Sequence, residues 1–263
     1  MRVRPAAVAG SFYPARPSDL VELVDGMLAE AVVRSDAPCP KALIVPHAGL
    51  VYSGPIAASG YAQLAPHASR IRRVVLLGPA HRVAARGLTL PDADAVETPL
   101  GQILVDADAV RPLQLDKSAR VHEREHSLEV QWPFLQRVLS DFRIVPLAVG
   151  HADADTVAGV LDALWGGAET VIVISSDLSH YLPYEAGKRI DAETAKAIVG
   201  LSPDDIDDGR ACGAYGIRGL LVAAKKRSLH PVLLDLRSSG DTAGNPNDDV
   251  VGYGSFAFYQ DGA

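Results

Sequence analysis

Four short runs of hydrophobic residues, with no polar face, recur along the chain. They cover residues 42–45, 74–77, 144–149 and 171–174, and each ends in a polar or Gly/Pro-containing loop. A half-exposed strand alternates apolar and polar residues, whereas a continuous apolar run of this length is typical of a central strand that is covered on both sides. The pattern therefore predicts a buried sheet between two layers of helices.

Amphipathic segments between these runs predict the covering helices. Pro17, Ser18 and Asp19 are helix start signals, and the helix that they begin is expected to run to about residue 33. Further helices are expected over 127–140, 154–165, 185–199 and 214–227.

The C-terminal part of the chain predicts an antiparallel pair of strands over 231–237 and 250–259. The second of these contains Gly252 and Gly254, which suit a strand near a sheet edge. Neither a linker nor an internal repeat divides the chain. The expected fold is thus one three-layer α/β/α domain with a mixed central sheet, spanning residues 1–263.

Composition narrows the possible partners. The chain has 263 residues, of which 48% are hydrophobic, so it can bury a full core. Its 25 Lys and Arg residues are scattered and are outnumbered by 32 acidic residues, which excludes the basic footprint that nucleic acid needs. The apolar runs are too short to span a membrane. With Cys39 and Cys212 as its only cysteines, the chain has no disulfide framework, so we expect a reducing cytoplasm as its compartment.

Histidines follow the predicted strands at similar positions. His47, His81 and His180 come within a few residues of the ends of three buried runs, and the remaining run, 144–149, is followed by Gly150 and His151. In open α/β sheets the ligand site lies outside the carboxyl ends of the strands, so these side chains can converge despite their separation in sequence. We therefore expect a metal or acid–base site at this edge of the sheet.

Two further residues can take part in such a site. Asp177 lies three residues before His180 and can orient a histidine ring, although it can equally cap the turn after the strand. Cys212 lies just before a predicted helix, where exposed N–H groups favour the thiolate and make it a competent metal ligand or nucleophile. The alternative for Cys212 is a small buried hydrophobic residue.

One segment matches a peptidase motif. Residues 122–126, His-Glu-Arg-Glu-His, fit the H-E-x-x-H pattern of zinc peptidases, which works only on a helix. Ser127 is predicted to cap the helix that begins with Leu128, so the motif precedes that helix and the peptidase interpretation is disfavoured. We expect instead that His126 and Glu129 lie outside the metal ligands and contact the substrate.

Several motifs occur together in one order. They are Ala-Gly-Ser-Phe-Tyr-Pro at 9–14, Pro-His-Ala-Gly at 46–49, Gly-Pro-Ala-His at 78–81, Glu-His-Ser-Leu-Glu-Val-Gln at 125–131, Ser-Ser-Asp-Leu-Ser-His at 175–180 and Cys-Gly at 212–213. In these motifs the chain resembles the Memo family, also called AmmeMemoRadiSam system protein B, over nearly its whole length. The resemblance implies an α/β/α fold shared with class III extradiol dioxygenases of the LigB type.

The resemblance also implies a ligand set. Carried over residue by residue, it makes His47, His81 and Cys212 the ligands of iron or copper, with zinc also possible. Extradiol dioxygenases hold Fe(II) with two histidines and a carboxylate, whereas the matching third position here is a cysteine. Because a thiolate is softer than a carboxylate, it favours Cu(I), Zn or thiolate-tolerant iron, and it disfavours ring cleavage.

Three functions are compatible with these residues. The first is a metal-binding protein with a redox or metal-handling role. The second is a non-haem iron dioxygenase, in which His180 is the general acid or base and Asp177 its partner. The third is a peptide-binding module that uses the same pocket. The resemblance implies that Phe12 and Tyr52 line the pocket mouth, where a small molecule or a peptide would bind.

Overall fold

The predicted buried runs form the centre of an eight-stranded sheet in the computed structural model, which describes residues 1–260. The strands within that range are Val3–Arg4 (β1), Ala42–Val45 (β2), Arg73–Pro79 (β3), Leu88–Leu90 (β4), Ala95–Thr98 (β5), Gly101–Leu104 (β6), Asp116–Lys117 (β7), Arg143–Val149 (β8), Thr170–Ser175 (β9), Leu182–Pro183 (β10), Leu229–Ser238 (β11), Asp249–Val250 (β12) and Gly252–Gln260 (β13).

Helices fill most of the connections between these strands. The α-helices in the described part of the chain are Pro17–Glu30 (α1), Leu50–Tyr61 (α2), Ala107–Val110 (α3), Ala119–His122 (α4), Trp132–Val138 (α5), Ala154–Ala163 (α6), Tyr184–Val199 (α7) and Ala214–Lys226 (α8). Short 3-10 turns cover Ala62–His67, Arg111–Leu113, Glu129–Gln131, Pro203–Asp205 and Ser239–Asp241. Within residues 1–260, every helix is too short or too polar to cross a bilayer.

The main sheet is mixed, as predicted. Its strand order is β11-β13-β2-β9-β3-β8-β4-β7, and its four central strands β2, β9, β3 and β8 are parallel. Strand β13 pairs antiparallel with both β2 and β11, which confirms the predicted C-terminal pair and places β13 one strand in from the edge. The carboxyl ends of the four parallel strands therefore lie side by side.

Two apolar layers cover the central strands. Ile44, Val75 and Leu77 point into one core with α6, α7 and α8, whereas Leu43 and Val74 point into the other with α1, α2 and α5. The alternation follows from the pleat, which sends successive side chains to opposite faces. The three-layer α/β/α prediction is confirmed.

Helix α2 was not predicted from the sequence pattern. It contains Gly54, Pro55 and Gly60, and most of its residues are buried, so it has no polar face and no amphipathic signal. A Cβ on Gly60 would lie 2.7 Å from Val45 Cγ1. The glycine therefore lets the helix approach β2 closely, at the place where this strand leads into His47.

Helices α6 and α8 also cross at a glycine. A Cβ on Gly219 of α8 would lie 2.3 Å from Val157 Cγ1 and 3.2 Å from the backbone nitrogen of Ala158, both on α6. On the outer side of α6, a Cβ on Gly159 would have no atom within 4 Å. These two glycines provide a test of the helix packing.

We predict opposite effects of alanine at the two positions. Gly159→Ala should stabilise the protein by up to about 1 kcal/mol, because it lowers the backbone entropy of the unfolded chain without a clash. Gly219→Ala should destabilise it by roughly 1–3 kcal/mol, because the new methyl group overpacks the helix crossing. Urea unfolding measures both free energies. Stabilisation by both substitutions would contradict the close approach of α6 and α8.

Candidate metal centre

His47 and His81 converge at the carboxyl end of the sheet. His47 lies two residues after β2 and His81 two residues after β3, and their ring centroids are 5.2 Å apart. Only β9 separates these two strands in the sheet. The predicted convergence of these two histidines is confirmed.

A third histidine completes the cluster. The His126 ring lies 5.5 Å from that of His47 and stacks on that of His81 at 4.8 Å. One ligating atom from each of the three residues lies within 4.8 Å of the others, so the cluster could hold a metal ion. From the sequence we expected only a supporting contact from His126. The predicted helix over 127–140 begins later than expected, and residues 123–128 form an irregular turn between α4 and the Glu129–Gln131 3-10 turn, which brings His126 into the cluster.

Glu125 holds two of these histidines in place. Its Oε1 accepts hydrogen bonds from the His81 ring Nδ1 at 3.1 Å and from the backbone nitrogens of His126 and Ser127 at 2.9 and 3.0 Å. Its Oε2 accepts from the backbone nitrogens of His81 at 2.5 Å and Arg82 at 3.3 Å. A carboxylate can only accept, so His81 Nδ1 carries the proton of this hydrogen bond, and Nε2 is the ring nitrogen left for a metal.

The charge of Glu125 is stabilised by its partners. Burial by itself would raise the pKa of this carboxyl, which is 1% exposed. Hydrogen bonds from the His81 ring and the Ser127 backbone outweigh burial and lower the pKa well below its usual range. Glu125 is therefore an anion that fixes the loop after β3 against residues 125–127.

His47 is held by neutral partners and by one carboxylate. Its backbone nitrogen donates to Asp177 Oδ1 at 2.7 Å, and its ring Nδ1 lies 2.8 Å from Ser175 Oγ. Burial, reinforced by the nearby His81, lowers the pKa of His47 to about 3. Burial and His47 likewise lower the pKa of His126 to about 4. Both rings are therefore neutral near pH 7, as metal coordination requires.

Cys212 lies beside His47. Its Sγ is 3.4 Å from His47 Nε2, and its backbone nitrogen donates to the Asp177 carbonyl at 3.3 Å. We expected the start of α8 to favour the thiolate, but burial and the charge of Asp177 raise the pKa of the Cys212 thiol. In the metal-free protein this residue is a thiol, and a cation would have to displace its proton.

Asp177 and His180 lie at the same end of the sheet. Asp177 is 5% exposed, and burial raises the pKa of its carboxyl, while the charge of His180 lowers it. His180 itself is exposed; it directly follows the buried Ser179 and precedes Tyr181, which has a φ of +54°. A positive φ at a tyrosine is strained and is characteristic of functional loops. The acid–base role of His180 stays a prediction.

Phe12 contacts the histidine cluster, whereas Tyr52 is a partly exposed residue of α2. The Phe12 ring packs against His126 with a centroid distance of 4.6 Å, and Tyr52, in the first turn of α2, is 40% exposed. His151 is exposed and packs against Tyr215 at 5.4 Å, outside the three-histidine cluster.

Glu129 has a different role from the ligand contact that we expected. It is fully buried, and its carboxylate accepts hydrogen bonds from the Tyr13 hydroxyl and the backbone nitrogens of Ala7 and Val8, and also pairs with Arg4. With no exposed surface, Glu129 anchors the N-terminal segment that carries Phe12.

The peptidase-like motif does not form a site. His122 ends α4, is 3% exposed, and its Nε2 donates to the Thr89 carbonyl at 2.8 Å. Of the two motif histidines, only His126 belongs to the cluster that could hold a metal. The two rings therefore do not share a helix face, in agreement with the sequence analysis.

The donor set suits a transition-metal ion. Three imidazoles and a thiol provide nitrogen and sulfur ligands, which copper, zinc and iron accept and which magnesium and calcium do not. Among residues 1–260, the buried His126 Nδ1 has no hydrogen-bond partner, and it lies 3.3 Å from Glu125 Oε1. The fold and the cluster define a three-layer α/β protein with a candidate metal centre at the carboxyl end of its parallel strands.

Comparisons with known proteins agree with this description. The profile of the family described as "Memo-like protein" matches residues 4–257, so the chain belongs to the Memo-like family. It is 36% identical to a MEMO1 family protein of Aeropyrum pernix, with 96% of this chain and 98% of that protein covered. It is 34% identical to one of Thermoplasma volcanium, with 96% and 97% covered.

Resemblance to a solved structure is weaker. An uncharacterized protein from Escherichia coli K12 superposes with a TM-score of 0.48 at 12% identity, over 81% of this chain and 98% of that chain. A likeness at this level carries no information about function.

We predict that Glu125→Gln lowers the unfolding free energy of the protein. The amide nitrogen of glutamine would face N–H donors, so the metal-free protein should lose roughly 2–4 kcal/mol of unfolding free energy. Because the pKa of Glu125 is lowered, the advantage of the wild type should be full at neutral pH and shrink as pH falls below about 4.3. Denaturant unfolding at several pH values measures this difference.

Glu123→Gln is the matched control. Glu123 is exposed in the same segment, so its substitution should change the unfolding free energy by less than about 0.5 kcal/mol. Equal effects of the two variants on the unfolding free energy would contradict the stabilising role of the Glu125 hydrogen bonds.

Proposed function

We propose that this protein binds one transition-metal ion, iron or copper, through His47, His81 and Cys212, and serves in redox chemistry or metal handling in a reducing cytoplasm. The observation that carries the proposal is the convergence of the two strand-end histidines, with the Cys212 thiol beside His47. The ring nitrogens of His47 and His81 belong to a group within 4.8 Å, and Cys212 Sγ is 3.4 Å from His47 Nε2.

The distances support Cys212 as a ligand. In a tetrahedral site with Zn-like bond lengths, a sulfur and a nitrogen ligand lie about 3.6 Å apart. The observed 3.4 Å between Cys212 Sγ and His47 Nε2 is close to that value. His126 is the alternative to Cys212 as third ligand, since its ring stacks on His81 and its Nδ1 has no hydrogen-bond partner among residues 1–260. We assign His126 to a fourth ligand or to substrate contact.

A bound iron or copper ion would supply Lewis acidity or electron transfer. The chain supplies the surroundings. Asp177 holds the backbone of His47, and His180 stands at the exposed rim, where an imidazole can take or give a proton. Phe12 and Tyr52 offer apolar surface to a small molecule that enters from solvent.

We predict that metal binding depends on the cluster residues. His47→Gln and Cys212→Ser should each lower the affinity for Cu(I) by at least about 10-fold, and His126→Gln should lower it less, since we assign His126 to a fourth ligand or to substrate contact. Competition with a chromogenic chelator under anaerobic conditions measures the affinity. Elemental analysis of protein purified without a metal-affinity tag identifies the native metal.

His151→Gln is the control for this series. His151 is an exposed histidine at the end of β8, outside the cluster, and its loss should leave Cu(I) binding unchanged. An affinity that is indifferent to both His47 and Cys212 would refute the proposed centre. A larger effect of His126→Gln than of Cys212→Ser would make the centre a three-histidine site.

Iron-dependent oxygenation is the second candidate, favoured by the placement of His180 and Asp177 at the same edge. We predict that the iron-loaded wild type does not cleave catechols, because a soft thiolate stands where ring-cleaving enzymes have a carboxylate. Cys212→Glu should gain weak activity. Oxygen uptake with catechol measures both, and robust cleavage by the wild type would show that this protein is a dioxygenase.

A further inference from the structure

Behind His47 lies a chain of buried polar side chains that the metal site does not use directly. Tyr61, Gln131 and Ser175 are all fully buried, and they come from α2, the turn before α5, and β9. All three are shielded from solvent, and Ser175 contacts the His47 ring directly. Their hydrogen bonds decide which nitrogen of His47 carries the proton.

The orientation of Gln131 is fixed by a carbonyl. Gln131 Nε2 lies 2.9 Å from the Pro46 carbonyl oxygen, which can only accept, so the amide nitrogen must face it. The amide oxygen then faces the Tyr61 hydroxyl, which donates to it at 2.9 Å. The same Nε2 also donates to Ser175 Oγ at 2.8 Å.

The hydroxyl proton of Ser175 has one destination. Ser175 Oγ lies 2.6 Å from the Ser127 carbonyl oxygen, a pure acceptor, so its only proton points there. If the proton pointed elsewhere, two oxygen atoms would face each other at 2.6 Å with no proton between them. With Gln131 donating as well, Ser175 Oγ can act towards His47 only as an acceptor.

The tautomer of His47 follows from this count. His47 Nδ1 lies 2.8 Å from Ser175 Oγ, which has no proton to give, so Nδ1 carries the proton and donates it. The Nε2 lone pair is left free, on the side where Cys212 Sγ lies at 3.4 Å. Which nitrogen binds a metal is set by the hydrogen bond that the other one makes.

We propose that Ser175, held by Gln131, is a positioning residue that fixes the Nδ1–H tautomer of His47 in the metal-free protein and so presents Nε2 to the metal. The metal part of this inference rests on the proposed function, whereas the tautomer does not. His81 reaches the same tautomer by a different route, through the anion Glu125. Ser175 thus fixes the ring of His47 through neutral hydrogen bonds, whereas Glu125 fixes the ring of His81 as an anion.

The tautomer can be measured without any metal. In uniformly ¹⁵N-labelled, metal-free protein, long-range ¹H–¹⁵N correlation distinguishes a protonated from an unprotonated ring nitrogen. The His47 signals are identified by their loss in His47→Gln. In the wild type we expect a protonated Nδ1 and an unprotonated Nε2 at pH 7. An Nε2–H pattern in the wild type would overturn the proposal, and this result needs no variant to fold.

Variants test the positioning role. Ser175→Ala should shift His47 towards the Nε2–H form or a mixture and lower Cu(I) affinity by about 10–100-fold, the usual cost of losing such a partner. Gln131→Met should act in the same direction but more weakly, because the Ser127 carbonyl still holds the Ser175 proton. A shifted tautomer in Ser175→Ala with wild-type affinity would overturn the positioning role.

Ser255→Ala is the matched control for packing. Ser255 is a fully buried serine on β13, and its Oγ has no hydrogen-bond partner in the described structure. Its substitution should leave both the tautomer and the affinity unchanged, and an equal effect would show that any buried serine matters. A wild type that binds no metal would refute the proposed function, and the tautomer result would then stand separately.

Discussion

The need to satisfy one buried carboxylate controls the architecture of the candidate centre. Glu125 has almost no contact with water, and its charge is stabilised by N–H groups from two segments that lie 44 residues apart in sequence. An unpaired charge there would cost several kcal/mol, so the two segments are held together whenever the chain is folded. The relative positions of His81 and His126 follow directly from this requirement. Apolar packing alone, which is non-directional, would not define them to within a hydrogen bond.

Other buried polar side chains position residues of the site through their own hydrogen bonds. Ser175 and Gln131 position His47 through neutral hydrogen bonds, and Glu129 ties down the N-terminal segment that carries Phe12. Each of these groups is fully buried and makes several hydrogen bonds. Buried polar groups of this kind are costly unless every one is paired. The centre therefore rests on a rigid polar layer at the strand ends, and its donor atoms are arranged in the metal-free protein.

The hydrophobic pattern was sufficient to predict the sheet and most of the helices, because central strands and amphipathic helices have distinct hydrophobic periodicities in the sequence. The run at 42–45 coincides with β2, and 144–149 differs from β8 by one residue. Helix α2 was missed because it is buried on most sides, and His126 was underrated because an irregular turn has no periodicity. The expected Cys212 thiolate was wrong for the metal-free protein, since burial outweighs the helix start. Sequence proximity to a helix end gives no measure of burial.

The position of β2 in the sheet has a consequence for biosynthesis. This strand leads into His47, and it lies between β9 and β13, with Phe256, Ala257 and Phe258 paired to its residues. A nascent chain that stops before residue 252 has no β13 to pair with one side of β2. Such long-range pairing forms late, because the loop entropy must be overcome first. Residues 252–260 must therefore be synthesised before β2, the strand that leads into His47, has both of its neighbours in the sheet.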